Sequence, residues 1–122
     1  MNLKECYTAA GADYEDVVRR FMREDRVDRF LTMFLRDQSY GLLCGAMEAE
    51  NYEEAFRAVH TMKGICMNLS LCALLNSCVE LTENLRGGAA DENTPRLFEQ
   101  VKQEYVRTVG AVESHLAETG KF

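Results

Sequence analysis

The chain has 122 residues, 47% of them hydrophobic, with one proline, no tryptophan and a formal net charge of −6. That length holds one helical core and not two, so a single domain over residues 1–122 is expected. The acidic balance argues against a nucleic-acid or anionic-membrane partner, since either calls for a basic patch.

Taken in chain order, the opening MNLKECYTAAG lacks the basic-then-apolar order of a secretion signal. No later run has the unbroken apolar length of a membrane span, and a cytoplasmic protein without a membrane partner is expected. Asp13 suits the cap of a short helix carrying Val17, Val18 and Phe21. Asp25 suits the cap of another, with Val27, Phe30, Leu31 and Phe34 as its apolar face. Ser39 starts a third through Leu42, Leu43, Ala46 and Met47, weakened by Gly41 and Gly45. Asn51 followed by Glu54 has the spacing of a capping box and opens a long helix. Ser70 is the expected cap of the next, whose stripe of Leu71, Leu74, Cys78, Leu81 and Leu85 ends at Gly87 and Gly88. Thr94 and Pro95 begin a last long helix with Phe98, Val101, Tyr105, Val109, Val112 and Leu116 inward. No strand candidate competes, so the fold class expected is all-α, as an antiparallel bundle.

The five cysteines form an odd set in a chain without a secretion signal, which disfavours a disulfide framework. No pair has the two-residue spacing of a zinc or redox motif. Cys66 and Cys78 fall near apolar stripes, and core packing is their expected role.

Chemistry concentrates in HTMKG, residues 60–64. At ~100° per residue, with His60 at zero, Lys63 falls at about −60° and Gly64 at about +40°. Ala55, Ala58, Met62, Ile65 and Leu69 gather at the opposite pole, so His60 is expected to face water. A glycine inside a helix costs about 0.8–1.0 kcal/mol relative to alanine, and a local rule broken on an open face marks a functional or close-packed position. Phe56, at about −40°, and Met67, at about −20°, share the outward sector. They form a docking surface around the histidine, or Phe56 is covered by the N-terminal segment; spacing alone leaves both open. A histidine in water, a cation one turn on and a residue without a side chain suit a phosphoryl group and the partner that carries it. The plainer alternatives are a surface histidine and a solvated lysine weakly paired with an acid.

The stretch 52–86 resembles the histidine phosphotransfer (HPt) domains of bacterial multistep phosphorelays. Their signature runs histidine, any residue, leucine, lysine, glycine, then a short stretch ending in asparagine, leucine and glycine. Here His60, Met62, Lys63, Gly64, Asn68 and Leu69 occupy those positions, and Ser70 stands where the family carries glycine. The resemblance implies a four-helix bundle built mostly from the segments starting at Asp25, Ser39, Asn51 and Ser70, with the short N-terminal helix and the long C-terminal one added to it. It implies that His60 is the phosphoacceptor, that Lys63 steadies the phosphoryl oxygens and that Gly64 leaves room for the partner. Phe56, Arg57 and Met67 complete the expected partner-contacting set. The implied partners are response-regulator receiver domains and a hybrid histidine kinase, with magnesium on the receiver and no cofactor on this chain. Such a protein is a carrier and not an enzyme. The competing reading is a helical interaction module that binds its partner without phosphotransfer.

Overall fold

The computed structural model describes residues 1–120, and among them every regular element is a helix. The helix α1, Leu3–Ala9, lies ahead of the first one expected from sequence. It is set by a capping box in which the Asn2 side chain accepts from Glu5 N and Glu5 Oε1 accepts from Asn2 N, at 2.8 and 2.9 Å. Then come α2, Tyr14–Phe21, capped by Asp13, and α3, Glu24–Arg36. Asp25 does not cap α3: it lies inside the first turn and is gripped by both ends of the Arg23 guanidinium. The remaining elements are α4, Ser39–Glu48; α5, Tyr52–Asn68; α6, Cys72–Asn84; and α7, Thr94–Thr119.

The antiparallel bundle is formed by α4, α5, α6 and α7, each packed along the next through short connections. A face-to-face stack of Tyr40 on Tyr105, centroids 3.7 Å apart, joins α4 back to α7. This corrects the expected helix set, because α7 holds the place anticipated for the Asp25 segment. The physical reason is length. At 1.5 Å per residue the 26 residues of α7 reach about 39 Å, enough to line α6 with one half and receive α1 and α3 on the other. There the buried His115 Nε2 lies 2.6 Å from Asp28 Oδ1 on α3, and His115 Nδ1 lies 3.1 Å from the Met1 carbonyl.

The buried stripe of α7 also differs from the expected one. Leu97, Val101, Thr108, Ala111, Val112, His115 and Leu116 are buried, while Phe98, Tyr105 and Val109 are half-buried. With Thr94, three of the buried positions of α7 are polar, so an apolar count tilts the predicted stripe toward the wrong flank. On α4, Leu42 is 64% exposed where it was expected inward, and Leu43 fills the core. Cys6, Cys66 and Cys78 are buried and all five thiols are free. The bond with Cys78, together with burial, pushes the Cys66 thiol up and keeps it protonated and inert.

An N-terminal layer clamps the α5–α6 turn. Arg20 of α2 donates to the carbonyls of Met67 and Asn68 at 2.6 and 2.7 Å, and Tyr7 of α1 donates to Leu69 O at 2.8 Å. The bonds to Asn68 and Leu69 satisfy carbonyls that the end of α5 leaves without a helical partner, and the one to Met67 adds to its backbone bond from Ser70 N. Ser70 is not the cap of α6. It sits in the left-handed region at φ 55°, and its hydroxyl donates to Asp16 Oδ2 at 2.6 Å. A non-glycine residue pays about 1–2 kcal/mol for that conformation, so glycine is the unstrained residue there and the serine is held by its bond to α2. Ser70→Ala keeps the strain and loses the bond, and is expected to lower stability by about 1 kcal/mol. Ser70→Gly loses the bond but also the strain, and its urea midpoint should lie above that of the alanine variant. A glycine variant less stable than the alanine one would show that the turn is not strained.

Candidate functional site

The site lies on α5, whose entry is fixed by Asn51 accepting from Glu54 N at 3.3 Å. From that start the helical period turns Ala55, Ala58, Val59, Met62 and Cys66 into the core. His60, Gly64 and Met67 are left exposed, with Met67 51% accessible, and Lys63 is half-buried beside them. A Cβ built on Gly64 would meet nothing within 4 Å, so no neighbouring helix uses its lack of a side chain.

Phe56 is half-buried, and a side chain from just beyond the end of α6 lies against its ring. The Arg86 guanidinium carbon lies 5.4 Å from its ring centroid. Its ring also runs nearly parallel to the His60 imidazole, with centroids 5.9 Å apart and 13° between planes. Arg86 is in turn held by Glu83, Nε at 3.0 Å from Oε2 and Nη2 at 2.8 Å from Oε1. The bond from Arg86 holds the Glu83 carboxyl below its ordinary range, and the charge of Lys63 adds to the lowering. Glu83 therefore faces both cations on this flank of His60. Sequence spacing within α5 could not show either residue. The signal available was the pairing distance of three between Glu83 and Arg86 at the end of a helix.

On the other flank Arg57 is paired with Glu54, and that bond lowers the Glu54 carboxyl. Beside this pair a groove of about 450 Å³ runs between α4 and α5, lined by Gly41, Gly45, Ala46, Arg57, Ala58 and Thr61 among others. Cβ atoms on Gly41 or Gly45 would also meet nothing within 4 Å. The two glycines that weaken α4 in the sequence thus leave this groove open along Arg57 and Thr61 of α5. Among the described residues no helix is long and apolar enough to cross a membrane, and no group of three or more histidine, cysteine or acidic side chains is placed to hold a metal ion.

The other histidine offers a different environment. His115 is 3% exposed and has a partner at each ring nitrogen. The described chain therefore presents one accessible imidazole, with a cation one turn away and unobstructed backbone beside it. Such an arrangement can take and return a small electrophilic group carried by a macromolecule.

In comparison with known families, the family described as the Hpt domain matches residues 29–111, about two thirds of the chain. Those residues begin within α3 and end within α7, and they include the whole of α4, α5 and α6. Comparison with curated proteins and with solved structures gives no match.

Proposed function

The chain belongs to the Hpt domain family, and from that premise we propose that it is a phosphorelay carrier, which accepts a phosphoryl group from one receiver aspartate on His60 and passes it to another. Domains of this family are phosphoryl carriers rather than enzymes, and they meet response-regulator receiver domains. The observation that carries the assignment to His60 is its exposure beside Lys63 and Gly64, with open space where a side chain at Gly64 would stand.

The step needs little from the carrier. In its neutral form the imidazole offers a free ring nitrogen. That nitrogen attacks the phosphorus of the aspartyl phosphate. An N–P bond forms, the acyl P–O bond breaks, and the aspartate carboxylate leaves with the electron pair. The proton on the other ring nitrogen is free to pass to water. Charge on the three equatorial oxygens is met by Lys63 and, on the partner's side, by the receiver's magnesium. The reverse step on a second receiver returns the histidine. Arg57 and Met67 flank the approach and are assigned to partner contact. The setting of this chemistry is cytoplasmic, with receivers and a hybrid histidine kinase as the partners.

Incubation with a phosphorylated receiver should place an acid-labile, alkali-stable label on this chain. Binding of the receiver with no such label would favour the interaction module instead.

Lys63→Ala separates charge from docking. A cation about 4 Å from a phosphoryl oxygen contributes about 1 kcal/mol in water and about 4 at the effective dielectric of a protein surface. Being partly exposed and under the opposing charge of Glu83, Lys63 belongs near the lower figure, and its loss should slow transfer about fivefold. Receiver affinity measured by calorimetry should hardly change. An equally large loss of affinity would make Lys63 a docking contact.

A further inference from the structure

The stack of Phe56 on His60 is more than cover for an apolar side chain. We propose that Phe56 is a positioning residue, one that holds the His60 imidazole in a single orientation for attack and is itself held by Arg86 and Glu83. This rests on the reading of His60 as phosphoacceptor.

An exposed histidine is free to rotate about both of its side-chain torsions. Its χ1 has three staggered wells, fewer inside a helix, and its χ2 is broad and roughly two-fold, so a free imidazole divides itself among up to about six orientations. In-line attack on an aspartyl phosphate can use few of them, because the partner's site enters from one direction and the reacting atoms must meet in line. Phe56 lies one turn before His60 on the same face of α5, the spacing at which side chains meet. The 13° interplanar angle and 5.9 Å separation leave the imidazole lying along the aromatic ring. Both ring nitrogens lie in the imidazole plane, so fixing the plane limits the directions in which they can point.

A ring can position another only if it is held. Phe56 is half-buried, which limits its own rotation, and the guanidinium of Arg86 sits 5.4 Å from its centroid. Arg86, just past the end of α6, is tied to Glu83 in the last turn of that helix by two bonds from its fork, which narrows its range. The order is thus Glu83, Arg86, Phe56, His60: a helix end on α6 sets an imidazole on α5. None of these contacts closes over His60, which remains exposed. The arrangement restricts orientation and preserves access.

The upper bound on its effect follows from the count of orientations. Selecting one of up to about six can raise the productive fraction by no more than about sixfold. A docking contact at the same residue would change receiver affinity, whereas an oriented nucleophile changes the rate once bound.

The test compares wild type, Phe56→Leu and Phe56→Tyr, with circular dichroism to confirm that each is folded, in three measurements. These are single-turnover transfer from a phosphorylated receiver, receiver affinity by calorimetry, and labelling by phosphoramidate, a small donor that reaches the imidazole from any side. Phe56→Leu should slow transfer about three- to sixfold, within the limit set by the rotamer count, and leave affinity and phosphoramidate labelling within twofold of wild type. Phe56→Tyr, which keeps the ring, should restore the rate. The chemical shifts of the His60 ring protons, which lie in the ring-current field of Phe56, should change in the leucine variant and stay near wild type in the tyrosine variant. Equal transfer by leucine and wild type would overturn the positioning role. A fall in affinity as large as the fall in rate would overturn it too, by making Phe56 a docking contact. Wild type that takes label from neither donor would overturn the phosphoacceptor reading itself, whatever the ring protons show.

Discussion

Replacing His60 with glutamine is expected to abolish labelling from a phosphorylated receiver, a loss beyond a hundredfold, while the thermal melt stays within about 0.5 kcal/mol of wild type, as for most surface substitutions. The loss should be complete because no second imidazole can substitute. His115 is 3% exposed, and its nitrogens are engaged by Asp28 at 2.6 Å and by the Met1 carbonyl at 3.1 Å. Stability should hold because His60 spends no surface on the core and glutamine is a good helix former. What the glutamine forfeits is the contact with Phe56, a surface stack at 5.9 Å. Scintillation counting after alkaline treatment reads the label, and circular dichroism reads the fold. Alkali-stable label surviving on the glutamine variant would place the acceptor elsewhere and end the assignment. Label that disappears together with the helical signal would trace the loss to unfolding, a result that the exposure of His60 does not allow.

The two histidines also show what a sequence can carry by itself. A 3.6-residue period is a local property, so the face of α5 bearing His60, Gly64 and Met67 was legible once Asn51 fixed where the helix begins. The same rule fails on α7, where Thr108 and His115 are buried. Nothing local distinguishes a histidine that will meet a buried aspartate 87 positions away from one that will face water. The flank of the site is non-local in the same way. Arg86 and Glu83 reach Phe56 only because α6 runs back along α5. The α1 helix is a different kind of miss. Its capping box, Asn2 with Glu5, stood in the sequence, but a seven-residue helix is too short for periodicity to show. At Ser70 the departure from glycine was visible and its meaning was not, because the compensating bond comes from Asp16, 54 residues earlier. The helix exchanged in the four-helix core follows from the same limit: an apolar stripe records that a face is covered, and not by which neighbour.

Gly64 gives the second large effect, and it separates what the helix wants from what the partner needs. The residue lies in the interior of α5, and a Cβ there would meet nothing within 4 Å. Gly64→Ala should therefore stabilise the isolated protein, by up to about 1 kcal/mol in urea denaturation. A methyl group beside His60 should cost transfer little. Gly64→Gln keeps most of the gain in helix propensity but raises a long side chain next to the imidazole, where the receiver's aspartyl phosphate has to arrive. Reacting atoms must approach to about 3–3.5 Å, and a misplacement of 1 Å can cost about a hundredfold in rate. Transfer from the receiver should accordingly fall by at least about that factor. Labelling by phosphoramidate, which needs no such approach, should stay within a few-fold of wild type. The pair of donors makes the outcome specific. Loss with both would mean that glutamine disturbs the imidazole itself, and normal transfer with the receiver would remove any steric role for the glycine. An unstable alanine variant would point to backbone at Gly64 that is not ordinary helix, and the reason for a glycine at that position would have to be sought in folding.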